Sequence, residues 1–159
     1  MKLMGAALVV LGSIRIGVSC VRKRREMLSR VQKLAAALLD MEASVRWKRQ
    51  VLPKVIAAQT RRTLCGTYFA DVLERFQAGE TLQNAWEAAF SFLQPPAAAE
   101  YLRQVELSGD EQHLIGNLHL AAENLQRLYQ EMQGKQKQEE KLYLSLLFSA
   151  TGMAIILLL

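Results

Sequence analysis

Cysteine and proline are both scarce in this chain of 159 residues. The cysteines are Cys20 and Cys65, which are too few for a disulfide framework and fit a reducing cytosol. There are three prolines, and none lies between residue 110 and the end, so a helix there is free to be long. Short turn signals and the lack of repeats or low-complexity tracts leave no room for a long disordered linker.

The sequence also lacks the motifs by which common enzymes bind or activate their substrates. It contains no P-loop, no GxSxG motif and no dinucleotide-binding fingerprint. Its histidines, His113 and His119, are six residues apart and do not share a helix face, which makes them a poor metal pair. We therefore predict that the protein is not an enzyme and uses no cofactor, metal or small-molecule substrate. The alternative is a small membrane enzyme, whose site would have to come from the two histidines, Cys65 and Glu42.

The chain does contain a long apolar stretch at each end. Residues 142–159 are 18 residues without a charge, and a helix that crosses a bilayer needs about 17–25 such residues. Tyr143 stands where an aromatic residue of the membrane interface is expected. Residues 3–21 form a second stretch, of 19 residues. We predict an N-terminal transmembrane helix within residues 1–21 and a C-terminal one over residues 142–159.

Arg15 is the one charged residue inside the N-terminal stretch. A charge near the middle of a spanning helix costs about 2.5–3.5 kcal/mol on insertion scales. Its long side chain lowers that cost if the guanidinium reaches the interface. We interpret Arg15 as a tolerated flanking charge; the alternative is a contact with a partner subunit or an acidic lipid.

Basic residues flank both apolar stretches on the side of the chain's middle. The main ones are Arg22, Lys23, Arg24 and Arg25 after the first stretch and Lys141 before the second. Because positive flanks stay in the cytosol, both ends place residues 22–141 there, with membrane lipid around the two ends. We interpret the basic run as a topology signal rather than as a site for anionic lipid or nucleic acid, and we predict no nucleic-acid partner.

A cleaved signal peptide is the main alternative for the N-terminal stretch. It would leave a secreted or lipid-anchored helical binding module without residues 1–19. Against it, a single lysine, Lys2, precedes the stretch, and a basic run follows where a cleaved signal usually stays uncharged. The residues before Cys20 match a lipoprotein site only loosely, because Gly17 stands where leucine is expected.

Between the two ends the apolar pattern is helical. In residues 26–48 apolar side chains step by three and four, and they do so again in residues 114–132. Thr81 and Asp110 are predicted N-caps of two of the helices. Four shorter helices are predicted between these two regions. One starts at Pro53, and the others cover residues 67–77, 82–93 and 97–107.

The pattern as a whole predicts an all-α protein. The predicted fold is a six-helix antiparallel bundle over residues 22–141, whose first and last helices extend into the membrane as transmembrane helices. Glu42 is a polar residue in the apolar seam of the first helix. We interpret it as a helix-edge carboxylate; the alternative is a buried specificity contact, for example with a partner protein.

Five segments of the chain, taken in order, resemble one known family. They are MKLMGA at the start, the region of Met41, Glu42, Val45, Trp47 and Leu52, AGETLQNAW at residues 78–86, LSGDE and LHLA within residues 107–121, and KLYLS leading into the leucine-rich end at residues 141–159. In the order of these segments and in its length, the chain resembles stage III sporulation protein AB over essentially the whole sequence.

The resemblance implies a role in endospore formation. Proteins of this family help to build a channel-like complex between mother cell and forespore. Their soluble region is similar to the cytosolic domain of the inner-membrane platform proteins of type II secretion and type IV pilus machines, a six-helix bundle. The chain would then lie in the mother-cell membrane facing the forespore. It would be a platform that docks a secretion-type ATPase and other stage III sporulation complex subunits.

Overall fold

The computed structural model describes the backbone of residues 2–158, and the side chains of residues 19, 21–142, 145, 146 and 149. All regular structure in that part of the chain is helical, which confirms the all-α prediction and its six helices. The helices are α1 (Lys2–Lys48), α2 (Leu52–Gln59), α3 (Gly66–Gln77), α4 (Leu82–Phe90), α5 (Pro96–Arg103) and α6 (Glu111–Leu158).

α1 and α6 are far longer than the other four helices, at 47 and 48 residues. At about 1.5 Å per residue each is about 70 Å long. They pack against each other and run in opposite directions, because Arg24 of α1 meets Glu139 of α6 whereas Glu42 meets His119. The first and last helices are thus both continuous, as the sequence predicted.

The predicted domain boundaries fall inside these two helices. α1 passes from residue 21 to residue 22 without a break, and α6 passes likewise from residue 141 to residue 142. Among the described residues, no helix has a stretch long and apolar enough to cross a membrane. Both predicted spans lie largely outside the residues whose side chains are described, and so does Arg15.

The contact between α1 and α6 is an apolar seam. Apolar residues recur every three or four positions along α1 and α6, which keeps one face of each helix apolar. The structure buries that face. The buried residues of α1 are Leu28, Val31, Leu34, Ala35, Ala37, Leu38, Met41 and Val45. Those of α6 are Leu118, Ala121, Ala122 and Leu125, with Leu114, Leu128 and Met132 partly buried beside them.

The short helices add a cluster of aromatic rings to the core. Phe69 of α3 and Trp86 and Phe90 of α4 are fully buried, and their ring centroids lie 4.6–6.0 Å apart. Nε1 of Trp86 donates a hydrogen bond of 2.8 Å to the backbone oxygen of Leu102 in α5. The bond satisfies the buried indole N–H and joins α4 to α5.

The N-caps predicted for α4 and α6 are confirmed. Oγ1 of Thr81 accepts a hydrogen bond of 3.3 Å from the backbone N–H of Asn84. Oδ1 of Asp110 accepts one of 3.0 Å from the backbone N–H of His113. Each bond satisfies a donor that the first turn of a helix leaves unpaired, so these side chains help to set where the helices begin.

Two short helices end earlier than the sequence predicted. α4 ends at Phe90 rather than at residue 93, and α5 ends at Arg103 rather than at residue 107. Tertiary hydrogen bonds explain the second difference. The backbone N–H of Leu107 donates to Oε1 of Gln83 at 2.8 Å, and Nε2 of Gln83 donates to the backbone oxygen of Val105 at 3.3 Å. The Gln83 amide thus binds backbone groups of the segment that a longer α5 would have included.

The start of α3 and the exposure of Phe76 near its end differ from the prediction. α3 begins one residue early, at Gly66, where a Cβ would lie 2.1 Å from the backbone oxygen of Thr60. Glycine therefore allows α3 to start this close to the end of α2. The spacing of apolar residues in this helix predicts that Phe76 faces inward, and this prediction is wrong. Phe76 lies in the last turn of α3 and is 38% exposed.

We expect Leu38→Ala to lower the free energy of unfolding by about 2–5 kcal/mol, because it leaves a cavity in the seam where Leu38 is fully buried. Leu120→Ala is the matched control, since Leu120 of α6 is 57% exposed. Its expected effect is within about 0.5 kcal/mol. Denaturant unfolding of the full chain, followed by circular dichroism, measures both variants, and equal effects would contradict the burial pattern of the seam.

Candidate functional site

A charged cluster surrounds one buried carboxylate of the otherwise apolar seam, and its other members are about half exposed. Glu42 of α1 is 7% exposed. Its Oε1 lies 2.9 Å from Nη2 of Arg46, one turn further along α1, and its Oε2 lies 3.0 Å from Nδ1 of His119 on α6. Nε2 of His119 lies 3.8 Å from Oε1 of Glu123. We call Glu42, Arg46, His119 and Glu123 the seam cluster.

The interpretation of Glu42 as a helix-edge carboxylate is therefore wrong. The carboxylate is buried, and both of its oxygens have polar partners within the chain. A buried carboxylate is tolerated when donors surround it, and here the donors come from two different helices. A slip of α6 by one turn, about 5.4 Å, would separate His119 from Glu42, so the cluster favours one register of the seam. A contact of Glu42 with a partner protein stays a prediction.

A second polar cluster joins the end of α2 to α1. Gln59 is 1% exposed, and its Nε2 donates a hydrogen bond of 2.9 Å to Oδ2 of Asp40. Nη2 of Arg62 donates to the same oxygen at 3.0 Å, and Nε of Arg62 donates to Oε1 of Gln59. The hydrogen bond from Gln59, helped by Arg62, holds the pKa of Asp40 below its usual value although burial opposes the shift. Asp40 is therefore ionised at neutral pH.

Cys65 is a free, fully buried thiol in the core. Burial raises the pKa of its thiol, and the charges of Arg62 and Lys33 only partly offset that effect. A buried thiol with a raised pKa is a poor nucleophile. Across the described residues, no group of three or more His, Cys, Asp or Glu side chains is arranged to hold a metal ion.

The basic run at residues 22–25 lies on the surface and contacts α6. Arg24 pairs with Glu139, and Nη2 of Arg25 lies 3.9 Å from Oε1 of Glu140. Exposed ion pairs of this kind contribute little to stability. The other predicted flanking residues, also exposed, are Arg22, Lys23 and Lys141.

The far end of the seam carries a second basic surface, which was not predicted from the sequence. α1 ends with Arg46, Trp47 and Lys48, and Arg49 follows. Trp47 is 78% exposed and Val51 is 69% exposed, whereas the other tryptophan is fully buried. We call Arg46, Trp47, Lys48, Arg49 and Val51 the distal surface. The signal was available in the sequence, because three cations and a tryptophan interrupt the apolar stepping of the first helix.

A cleft of about 570 Å³ opens between the end of α1 and the first turns of α6. Arg46 and Arg49 of the distal surface line it on one side. Nothing lies within 4 Å of the point where Gly116 would carry a Cβ, so the wall is open there. The residues that line the cleft from α6 are Glu111, Gln112, Ile115 and Gly116.

Comparison with protein families gives these features a context. A profile described as stage III sporulation protein AB matches residues 2–159. The chain belongs to this family. The match covers both long helices and the domain between them, and it confirms the resemblance seen in the sequence. Comparison with curated proteins and with solved structures finds no significant match.

Membership of the stage III sporulation protein AB family ties the chain to sporulation. Several residues that carried the resemblance have structural roles: Thr81 caps α4, Asp110 caps α6 and Trp86 fills the core. Trp47 differs from them, because a side chain that is 78% exposed has no such role in the core. The distal surface is therefore the candidate functional site.

We expect His119→Ala to lower the free energy of unfolding by about 1–3 kcal/mol, because the buried Glu42 loses its partner from α6. His113→Ala is the matched control. His113 is as exposed as His119 and also contacts a glutamate, Glu106, at 3.3 Å. Because Glu106 is exposed whereas Glu42 is buried, we expect a change within about 0.5 kcal/mol. Denaturant unfolding at neutral pH compares the two variants. A loss at His113 as large as that at His119 would contradict the role of the seam cluster.

Proposed function

We propose that the chain is a non-catalytic membrane platform, an assembly component of the mother cell–forespore channel complex during endospore formation. In this proposal it lies in the mother-cell membrane facing the forespore. A helix at each end crosses the bilayer, and residues 22–141 form an antiparallel six-helix bundle in the cytosol. There it docks a secretion-type ATPase and membrane subunits of the same complex, in the manner of secretion-system platform proteins.

The packing of α1 against α6 is the observation that carries the proposal. Because Arg24 meets Glu139, the residues that precede Arg24 and those that follow Glu139 leave the helical domain at the same end. Both apolar ends of the sequence therefore leave the domain on one side. From Arg22 to Lys48, α1 extends about 39 Å at 1.5 Å per residue. Such a pair of helices would hold the far end of the domain well away from a membrane.

Exposed apolar side chains support the membrane part of the proposal. Val21 is 40% exposed, Leu142 is 61% exposed and Leu146 is 68% exposed. All three lie where the predicted spans meet the domain. Apolar side chains on the free surface of paired helices suit contact with lipid better than contact with water. The basic residues beside them suit the cytosolic face of an anionic membrane.

The way in which buried polar groups are used supports a structural role. Glu42 and Gln59 direct their buried polar atoms to contacts between helices. Cys65 is buried and has a raised pKa. Two of the groups from which a hidden catalytic site would have to be built, Glu42 and Cys65, are thus engaged in packing, and we propose that the chain acts through its surfaces.

We expect a reporter inserted in the turn between α2 and α3, at residues 61–64, to report the cytosol. Alkaline phosphatase, which needs disulfides, would be inactive there, and a fluorescent protein would be bright. The intact mass of the same purified protein would include residues 1–19. Active phosphatase, or loss of residues 1–19, would contradict the two-span platform and would favour the secreted or lipid-anchored binding module.

We expect the full chain in lipid nanodiscs to bind the purified secretion-type ATPase of the same sporulation complex. Biolayer interferometry measures the binding, with empty nanodiscs and nanodiscs that hold an unrelated two-span protein as controls. A correctly folded chain that bound neither the ATPase nor any membrane subunit of the complex would contradict the platform function.

A further inference from the structure

We propose that the distal surface is the docking site for an acidic segment of the cytosolic partner, and that this segment also carries an apolar side chain. The proposal rests on the proposed function, because that function places the distal surface in the cytosol. It adds the location of the site and the chemistry of the segment that binds there.

Three positive charges lie on the distal surface, and one of them is held in an ion pair. Lys48 and Arg49 make no ion pair within the described part of the chain. Arg46 is held by Glu42, which fixes one edge of the surface to the seam. Glu111 is the one carboxylate among the residues that line the cleft, opposite two arginines. The charge that would complement this surface is therefore negative.

Apolar side chains lie next to these charges. Trp47 is 78% exposed and Val51 is 69% exposed, although they lie only four positions apart in the chain. Trp and Arg are the residues that most often dominate the binding energy of protein interfaces. Acidic groups alone would satisfy the cations and leave Trp47 in water. A segment that carries both a carboxylate and an apolar side chain would satisfy both.

The backbone at the end of α1 places Arg49 at the cleft. Arg49 has a φ of 45°, a left-handed backbone conformation that residues other than glycine rarely adopt. Its backbone N–H still donates to the oxygen of Val45 at 3.2 Å, so the turn is tied to the helix. Backbone strain of this kind is retained where the surrounding structure holds it, often at binding sites. Here it ends α1 with the Arg49 side chain on the wall of the cleft.

Distance favours a protein over lipid as the occupant. The distal surface begins 24 residues after the basic flank at Arg22, which is about 36 Å along α1. Electrostatic attraction in the cell decays over about 8 Å. The lipid headgroups around the proposed spans are therefore out of reach. A cytosolic protein that approaches the domain from below the membrane would meet this end first.

Binding of the purified ATPase to the full chain in nanodiscs tests the proposal. The distal variants are the double charge reversal Lys48→Glu with Arg49→Glu, and Trp47→Ala. The matched controls replace exposed residues elsewhere: Arg127→Glu on α6 and Phe92→Ala, whose side chain is 86% exposed. Circular dichroism checks that each variant is folded, and Arg49→Ala replaces the double reversal if that variant is not.

We expect each distal variant to weaken binding by about tenfold or more, and each control to leave it within about twofold. The wild-type interaction should also weaken as salt rises. Distal variants that bind as the wild type does would overturn the docking site and leave the platform standing. A wild-type chain that does not bind the ATPase would overturn the platform and the docking site together. Equal losses in the controls, or unchanged binding in high salt, would also overturn the docking site.

Discussion

The packing of α1 against α6 is the contact on which the other features of this protein depend. Its apolar faces bring the helices together, because burial of side chains such as Leu38 and Leu125 removes them from water. Repeated stepping by three and four leaves the register loosely defined, since a shift by one turn presents a similar face. The contact between the buried Glu42 and the exposed His119 removes that freedom, because any shift leaves the carboxylate without its partner from α6.

The same contact connects two basic surfaces of the domain. At one end of the seam, Arg24 and Arg25 pair with α6 beside the apolar ends of the chain. At the other end, the last turn of α1 and the first turns of α6 form the cleft of the distal surface. Arg46 belongs both to the seam cluster and to that surface. The seam therefore joins the distal surface to the end of the domain at which both apolar stretches leave it.

Much of the fold follows from local sequence, and the remainder depends on partners distant in the chain. Periodicity predicted the six helices and the buried face of α1, and cap chemistry predicted the roles of Thr81 and Asp110. The predicted end of α5 was wrong, because Gln83, more than twenty positions away, binds the backbone of the residues that follow α5. Glu42 was misinterpreted for the same reason, since its partner His119 is 77 positions away. The distal surface was missed because its basic and aromatic residues lie off the apolar face.

A pair of distances in the full chain tests the central claim most directly. Spin labels at the exposed positions of Lys23, Lys141 and Gln112, with both native cysteines replaced, allow pulsed electron paramagnetic resonance on the full chain in nanodiscs. Labels at positions 23 and 141 should lie about 10–20 Å apart, as on neighbouring helices. Labels at positions 23 and 112 should lie about 41 Å apart along the seam. A long first distance, or a short second one, would contradict the opposed packing of α1 and α6.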